Sequence, residues 1–214
     1  MISIKKNHNP FIVGDWIKRD EDFIGRADLI EKYLALEKHY FWLIGARRMG
    51  KTSLLRYLQR QYRKENSILP LFWDVSGANT PYDLKLSLLD SLDEAFEELE
   101  NRQINIDPDR CENMSLLEIL RHTAHLCKQH SIKLTFLIDE AEALFKVAAN
   151  DANFLNRFKA ILFNKDFVYV IIASNHGIYP QDATDFLQFS APFLQAFMPP
   201  DYLMPWTEAE ARQL

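Results

Sequence analysis

The sequence is short of several things that would take it out of the ordinary soluble class. Only 2 of its 214 residues are cysteine. Cys111 and Cys127 have neither CxxC spacing nor paired histidines, which argues against a disulfide framework or a zinc–thiolate site and for reduced thiols. No apolar run approaches the roughly 18 uncharged residues of a membrane span, so no membrane contact is expected. The opening "MISIKKNHNPFIVGDW" carries lysines, but polar residues and an aspartate interrupt its apolar patch, unlike a secretory leader; the expected localisation is cytoplasmic. Basic charge is also scarce, with 25 Lys and Arg against 30 Asp and Glu and a net charge of −5. Composition therefore does not advertise a nucleic-acid surface.

What the chain does have is alternation. "HYFWLIG" at 39–45, "ILPLFWDVSG", "IKLTFLIDE" and "FVYVIIASN" are short aliphatic and aromatic runs, as in strands buried on both faces. Between them, helical patterns over 52–64, 83–100, 116–129 and 154–163 are long enough for the crossovers that parallel strands require. Ahead of the first strand, "ADLIEKYLALEKH" puts Leu29, Ile30, Tyr33 and Leu34 on one helical face. Near the C-terminus "TDFLQFSAPFLQAF" reads as a helix and "DYLMPW" as an extended segment. "TEAEARQL" has Thr207 and Glu210 at capping-box spacing, where a helix begins. The expected fold class is α/β, with a central parallel sheet flanked by helices in three layers. The last helix is barely begun, which predicts a following helical subdomain that is absent or truncated.

Charge falls in two patches. "DSLDEAFEELE" at 90–100 reads as the solvated face of a helix. Arg56, Arg60, Arg63 and Lys64 lie on the outer face of a helix whose Leu54, Leu55, Leu58 and Tyr62 point inward. A solvated flank is the favoured reading there, with salt-dependent phosphate contact as the alternative.

The chemistry is concentrated in "GARRMGKTSLL". Gly45, Gly50, Lys51 and Thr52 satisfy GxxxxGK[ST] between a buried strand and a helix, the context the motif requires. Phosphate oxygens need converging donors. The turn Gly45, Ala46, Arg47, Arg48, Met49, Gly50 offers its N–H groups, and the helix opening at Lys51, Thr52 and Ser53 adds its positive dipole end. Lys51 gives a flexible point charge to the β- and γ-phosphates of ATP, and the Thr52 hydroxyl ligates Mg2+. A fortuitous glycine turn is the alternative reading, strongly disfavoured by this context.

Downstream, "LTFLIDEAEAL" places Asp139 and Glu140 at the carboxyl end of a strand, where ligands sit in parallel sheets. Asp139 is the candidate holder of Mg2+ through a water, and Glu140 the candidate to orient or deprotonate the attacking water. Alone, such a pair is more often a helix cap; beside a phosphate loop, catalysis is favoured. Glu142 reads as a surface residue. In "IIASNHG" the Asn175 amide is a candidate hydrogen-bond partner for the γ-phosphate or the water. Ser174 is evenly divided between such a role and a strand-ending turn, and His176 reads as a loop histidine. The loop-bearing strand and the acid-bearing strand are expected to end side by side, so that Lys51 and the acids converge on one triphosphate and its metal.

Taken in order, "FIGRADLIEKYLAL", "GARRMGKTSLL", "FLIDEAEAL" and "VIIASN" resemble the nucleotide-binding core of the AAA+ superfamily, and within it the STAND class of signal-transduction ATPases and related archaeal-type ATPases. The resemblance runs over 9–214. The phosphate loop is common to many NTPases, whereas "FIGRADLI" and "RRMGKTSLL" are more specific. It implies a P-loop NTPase fold with residues 1–38 as a nucleotide-contacting segment and helix, 39–200 as the ATPase core and 201–214 as the start of a truncated lid or winged-helix region. It also implies adenine and ribose contacts from Phe23, Ile24, Gly25 and Arg26, with Phe11 of "NPF" closing over the base. From the residues alone, that segment equally serves as a staple fixing the next helix. The family's sensor arginine accompanies the lid, yet no Lys or Arg occurs between Lys165 and Arg212. Hydrolysis without such a charge is slower by about 10³–10⁵, unless Arg47, Arg48 or Arg157 supplies it.

These expectations describe a slow ATP/ADP switch with Mg2+, the core of a signalling or defence regulator. It would oligomerise on activation and sense a protein partner or ligand through its C-terminal part. Two alternatives stay open: a DNA-associated AAA+ loader or transposition regulator, with nucleic acid as a less favoured partner, and a nucleotide-binding scaffold that does not hydrolyse. A small-molecule kinase is disfavoured, because the arginine-free segment offers no lid and the Asp139–Glu140 pair favours water as nucleophile.

Overall fold

The computed structural model describes residues 15–151, 153–163, 166–175, 193–206 and 208. Five strands form one sheet: β1 (Tyr40–Ile44), β2 (Ile68–Asp74), β3 (Lys133–Asp139), β4 (Val168–Ser174) and β5 (Asp201–Tyr202). Their order is β2-β3-β4-β1-β5, and every pairing is parallel. The first four correspond to the four apolar runs, and β1 and β4 are buried along their whole length. Strands covered on both sides need no polar face, which is why these runs do not alternate.

Parallel neighbours oblige the chain to cross over a face between strands, and the crossovers make the outer layers. On one side α1 (Ala27–Leu34) and α2 (Lys51–Arg63) bury Tyr33, Leu54, Leu55, Leu58 and Tyr62 against Phe41, Leu43 and Ile171. On the other side lie α3 (Pro81–Glu94), α4 (Phe96–Asn101), α5 (Pro108–Glu112), α6 (Leu116–Gln129), α7 (Glu142–Asn150) and α8 (Phe154–Leu162). That larger core includes Trp42, Trp73, Phe136, Phe158 and Phe193. Thr80 with Asp83 and Ser115 with Glu118 form capping boxes that start α3 and α6, each satisfying donors that the first helical turn leaves unpaired.

The helix expected over 83–100 is broken at Ala95, whose backbone leaves the helical region. The bend keeps Leu92, Ala95 and Leu99 in the core together. Two short helices, α5 and α7, were not evident from periodicity. Within the helix expected at 184–197, the described part contains a 3-10 turn at Gln195–Phe197. The helix expected from Thr207 lies outside the described residues except at position 208, as do Phe11 and His176. Residues 201–202 pair with Leu43 and Ile44 of β1, and Lys32 of α1 forms an ion pair with Asp201.

The basic flank of α2 is an ion-paired ridge. Arg56 contacts Glu94, Arg63 lies 3.3 Å from Glu94 and 2.7 Å from Glu98, and Arg60 and Lys64 lie 2.7 and 3.1 Å from Asp20. The acidic helix face thus supplies counter-charges to the basic one. Among the described residues no helix is long and apolar enough to cross a membrane.

One expectation of arrangement is corrected. β1 and β3 do not end side by side, because β4 lies between them. After β1 the chain goes to the far edge at β2 and returns through β3 and β4, which makes the carboxyl ends around β1 and β4 the place where winding reverses and ligands bind in such sheets.

Candidate functional site

The loop after β1 is shaped by its glycines. Gly45 N–H donates to the Ser174 carbonyl at 3.1 Å, tying the loop's start to the end of β4. A Cβ on Gly45 would stand 2.9 Å from the Leu203 Cβ, closer than packed side chains tolerate. Gly50 has φ +90° and is the residue from which α2 starts, a conformation that a side chain disfavours. Ala46, Arg47, Arg48 and Gly50 are exposed. Met49 rests half-buried on the α1–α2 cluster, and the buried Ser53 accepts a hydrogen bond from Ile17 N–H at 3.2 Å. The N–H groups of the first turn of α2 have no intrahelical acceptor, and with the helix dipole they form a cradle for phosphate oxygens.

Lys51 stands inside this cradle, 5% exposed. Its ammonium donates to the carbonyls of Gly45 at 2.9 Å and Ala46 at 3.3 Å, and to Asn175 Oδ1 at 2.9 Å. Asn175 follows β4 directly, and its Nδ2 donates to Glu140 Oε2 at 3.3 Å. One side-chain amide therefore bridges the loop lysine and the glutamate after β3. Glu140 itself has φ +53°, a backbone conformation that costs a residue with a Cβ on the order of 1–2 kcal/mol. It is flanked by an Ala141 N–H that donates to the Ala173 carbonyl at 2.9 Å.

The second convergence joins α2 to β3. Thr52 Oγ1 donates to Asp139 Oδ2 at 2.5 Å, and Glu140 N–H donates to Asp139 Oδ1 at 3.0 Å. Burial pushes the Asp139 carboxyl up to about 6, with the charges of Asp74 and Glu140 adding to the rise and the two hydrogen bonds opposing it. Asp74 stands opposite Asp139 in the β2–β3 register. Sequence reading did not single it out, although it ends the run "ILPLFWD"; only the strand order shows that it shares the acidic end of the sheet. A hydroxyl and a carboxylate are the hard oxygen donors that Mg2+ takes. Among the described residues no cluster of three or more His, Cys, Asp or Glu forms a metal cage. Mg2+ retains waters and shares phosphate oxygens, so the two protein oxygens of Thr52 and Asp139 fit it.

Other candidates are placed differently. Phe23 stacks on Tyr57 of α2 with centroids 4.6 Å apart. Ile24 and Gly25 are half-buried, and Arg26, in the left-handed region at the start of α1, donates to the Met204 carbonyl. Phe23 and Arg26 thus tie the entry to α1 to α2 and to the segment after β5. Phe11 lies outside the described residues. Ser174 is fully buried and accepts a hydrogen bond from Trp42 Nε1 at 2.8 Å, a packing role. Glu142 is not the surface residue expected: it is half-buried and accepts a hydrogen bond from Asn175 N–H. Arg157 is paired with Asp151.

A protein-family model described as an AAA domain matches residues 37–180. No curated protein sequence matches significantly. Among solved structures, a Walker-type ATPase of Pyrococcus abyssi superposes with a TM-score of 0.63 at 16% identity, over 93% of this chain and 59% of that one. The ORC2 protein of Aeropyrum pernix, in ADPNP–ADP complexes, superposes with a TM-score of 0.53 at 14% identity, over 86% of this chain and 49% of that one. The chain thus spans between about half and three-fifths of the length of these structures. At such identities the likeness concerns the fold, and the fold is that of P-loop ATPases.

Proposed function

This chain belongs to the AAA domain family, and from that premise we propose that it binds ATP at the Gly45–Ser53 cradle with Mg2+ and hydrolyses it slowly as a nucleotide switch. The observation that carries the reading is the double convergence of Lys51 with Asn175 and Glu140, and of Thr52 with Asp139. Groups from α2, β3 and β4 meet at one end of the sheet, where the cradle opens. The nucleotide complexes of the similar Aeropyrum pernix protein support a nucleotide as the ligand.

In this reading Lys51 exchanges its carbonyl and amide acceptors for the β- and γ-phosphates. Thr52 and Asp139 would hold Mg2+, which when bound would supply positive charge beside the phosphates. Glu140 takes the proton of the attacking water, and Asn175 aligns the carboxylate. No Lys or Arg occurs in the sequence between Lys165 and Arg212, the stretch ahead of the expected lid, and this supports slow turnover and a switch in preference to a motor. The difference between ATP-bound and ADP-bound forms then acts on a partner through the C-terminal part, as in signalling or defence regulators of the STAND type. Such a switch requires ATP and ADP to differ in affinity for its two conformations.

The test is Glu140→Gln in single-turnover assays. Loss of a general base lowers the hydrolysis rate by about 10²–10⁴, while bound ATP is retained. Hydrolysis at the wild-type rate would remove Glu140 from the reaction, and lost ATP binding would place it in the cradle instead.

A further inference from the structure

The bridge made by Asn175 raises the question of what holds Asn175. Its residue follows the last position of β4, beyond the ladder that fixes the strand. Its backbone N–H is taken by Glu142 Oε1, from the first turn of α7. The other Glu142 oxygen, Oε2, is buried and has no hydrogen-bond partner among the described residues. A carboxylate half-withdrawn from water, with one oxygen committed to a backbone N–H 33 positions away, is a costly way to cap a strand. Its placement is informative: Glu142 follows Glu140 by two residues, and the left-handed backbone of Glu140 lets both carboxylates turn toward Asn175, one to its side chain and one to its main chain.

We infer that Glu142 is a positioning residue: by accepting the Asn175 N–H it fixes the Asn175 amide in the one place where Oδ1 meets Lys51 and Nδ2 meets Glu140. The inference rests on the hydrolytic reading above for its kinetic consequence, though not for the contact itself. Asn175 has two bonds from its side chain and one from its backbone. Removing the backbone bond leaves the amide anchored only by the two groups it is meant to align. Among the described residues the Glu142 carboxylate bonds to Asn175 N–H and to neither Lys51 nor Glu140, so its effect passes through Asn175.

The full chain carrying Glu142→Ala and Glu142→Gln tests this, because glutamine keeps an oxygen that accepts the N–H. Hydrogen exchange followed by NMR reads the contact directly. Exchange of the Asn175 amide should accelerate at least about tenfold in Glu142→Ala and stay within about threefold of wild type in Glu142→Gln. Displacement of a catalytic group by a fraction of an ångström to one ångström costs up to about 10²-fold, so kcat for ATP should fall by about 10–100-fold in Glu142→Ala. KM and ADP affinity should move less than about threefold, and Glu142→Gln should recover the loss. In a double-mutant cycle Glu142→Ala should add nothing to Asn175→Ala. Unchanged Asn175 exchange in Glu142→Ala overturns the inference. Equal loss of kcat in the alanine and glutamine variants overturns it too, as does full additivity with Asn175→Ala. Absence of ATP turnover in the wild type would instead sink the hydrolytic reading, and the exchange measurement would still decide whether Glu142 holds Asn175.

Discussion

Asp139 illustrates how much a single buried carboxyl can decide. It is 3% exposed and its carboxyl is pushed from 3.8 up to about 6, chiefly by burial. The folded chain therefore holds this proton more tightly than the unfolded chain. Stability falls as pH rises between those two values, and above about 6 the ionised group costs up to about 3 kcal/mol. Asp139→Asn keeps an acceptor for the Thr52 hydroxyl and removes the charge, while giving up the acceptor for Glu140 N–H at every pH. In metal-free buffer its thermal midpoint relative to wild type should therefore be more favourable at pH 8 than near pH 4. Equal shifts at both pH values would show that the charge is not what costs stability. Lys51, Thr52, Asp139 and Glu140 were legible as a set because their motifs are local. Asp74 and Glu142 were not. The first is brought to the site only by the β2–β3 register, and the second bonds across 33 positions; neither relation leaves a spacing in the sequence.

Among the elements, the strands were the most legible, since runs such as "FLID" and "VIIAS" are buried on both faces and carry no competing helical period. Their order was not, because nothing in an apolar run says which neighbour it takes; hence the unforeseen place of β4. The break at Ala95 and the short helices α5 and α7 were also hidden, being set by what they cover. β5 is an element of two residues, yet it bears on the loop: Leu203, just past it, is 3% exposed and stands where a Gly45 side chain would be. Gly45→Ala should therefore cost about 1–3 kcal/mol through overpacking, read as a lower thermal midpoint, and should weaken ATP binding at the same time. A midpoint and an affinity both unchanged would mean that β5 yields without disturbing the loop.

At the scale of the molecule, the densest run of basic charge on α2 is neutralised where it stands. The ridge of Arg56, Arg60, Arg63 and Lys64 is matched by Asp20, Glu94 and Glu98, and the net charge is −5. A surface that releases counterions from DNA needs unpaired cations. Fluorescence anisotropy with duplex DNA at about 0.15 M salt should therefore give binding weaker than about 10⁻⁴ M, below the usual nonspecific range. Micromolar binding with a steep salt slope would show that the ridge opens its ion pairs to phosphate. At the same scale, the place of β4 between β1 and β3 makes its length a gauge. Each strand residue advances the chain by about 3.3 Å, so one inserted residue would carry Asn175 past the lysine and the glutamate in a single step. The distance between charge and acid is thus kept by counting residues along a strand that itself bears neither.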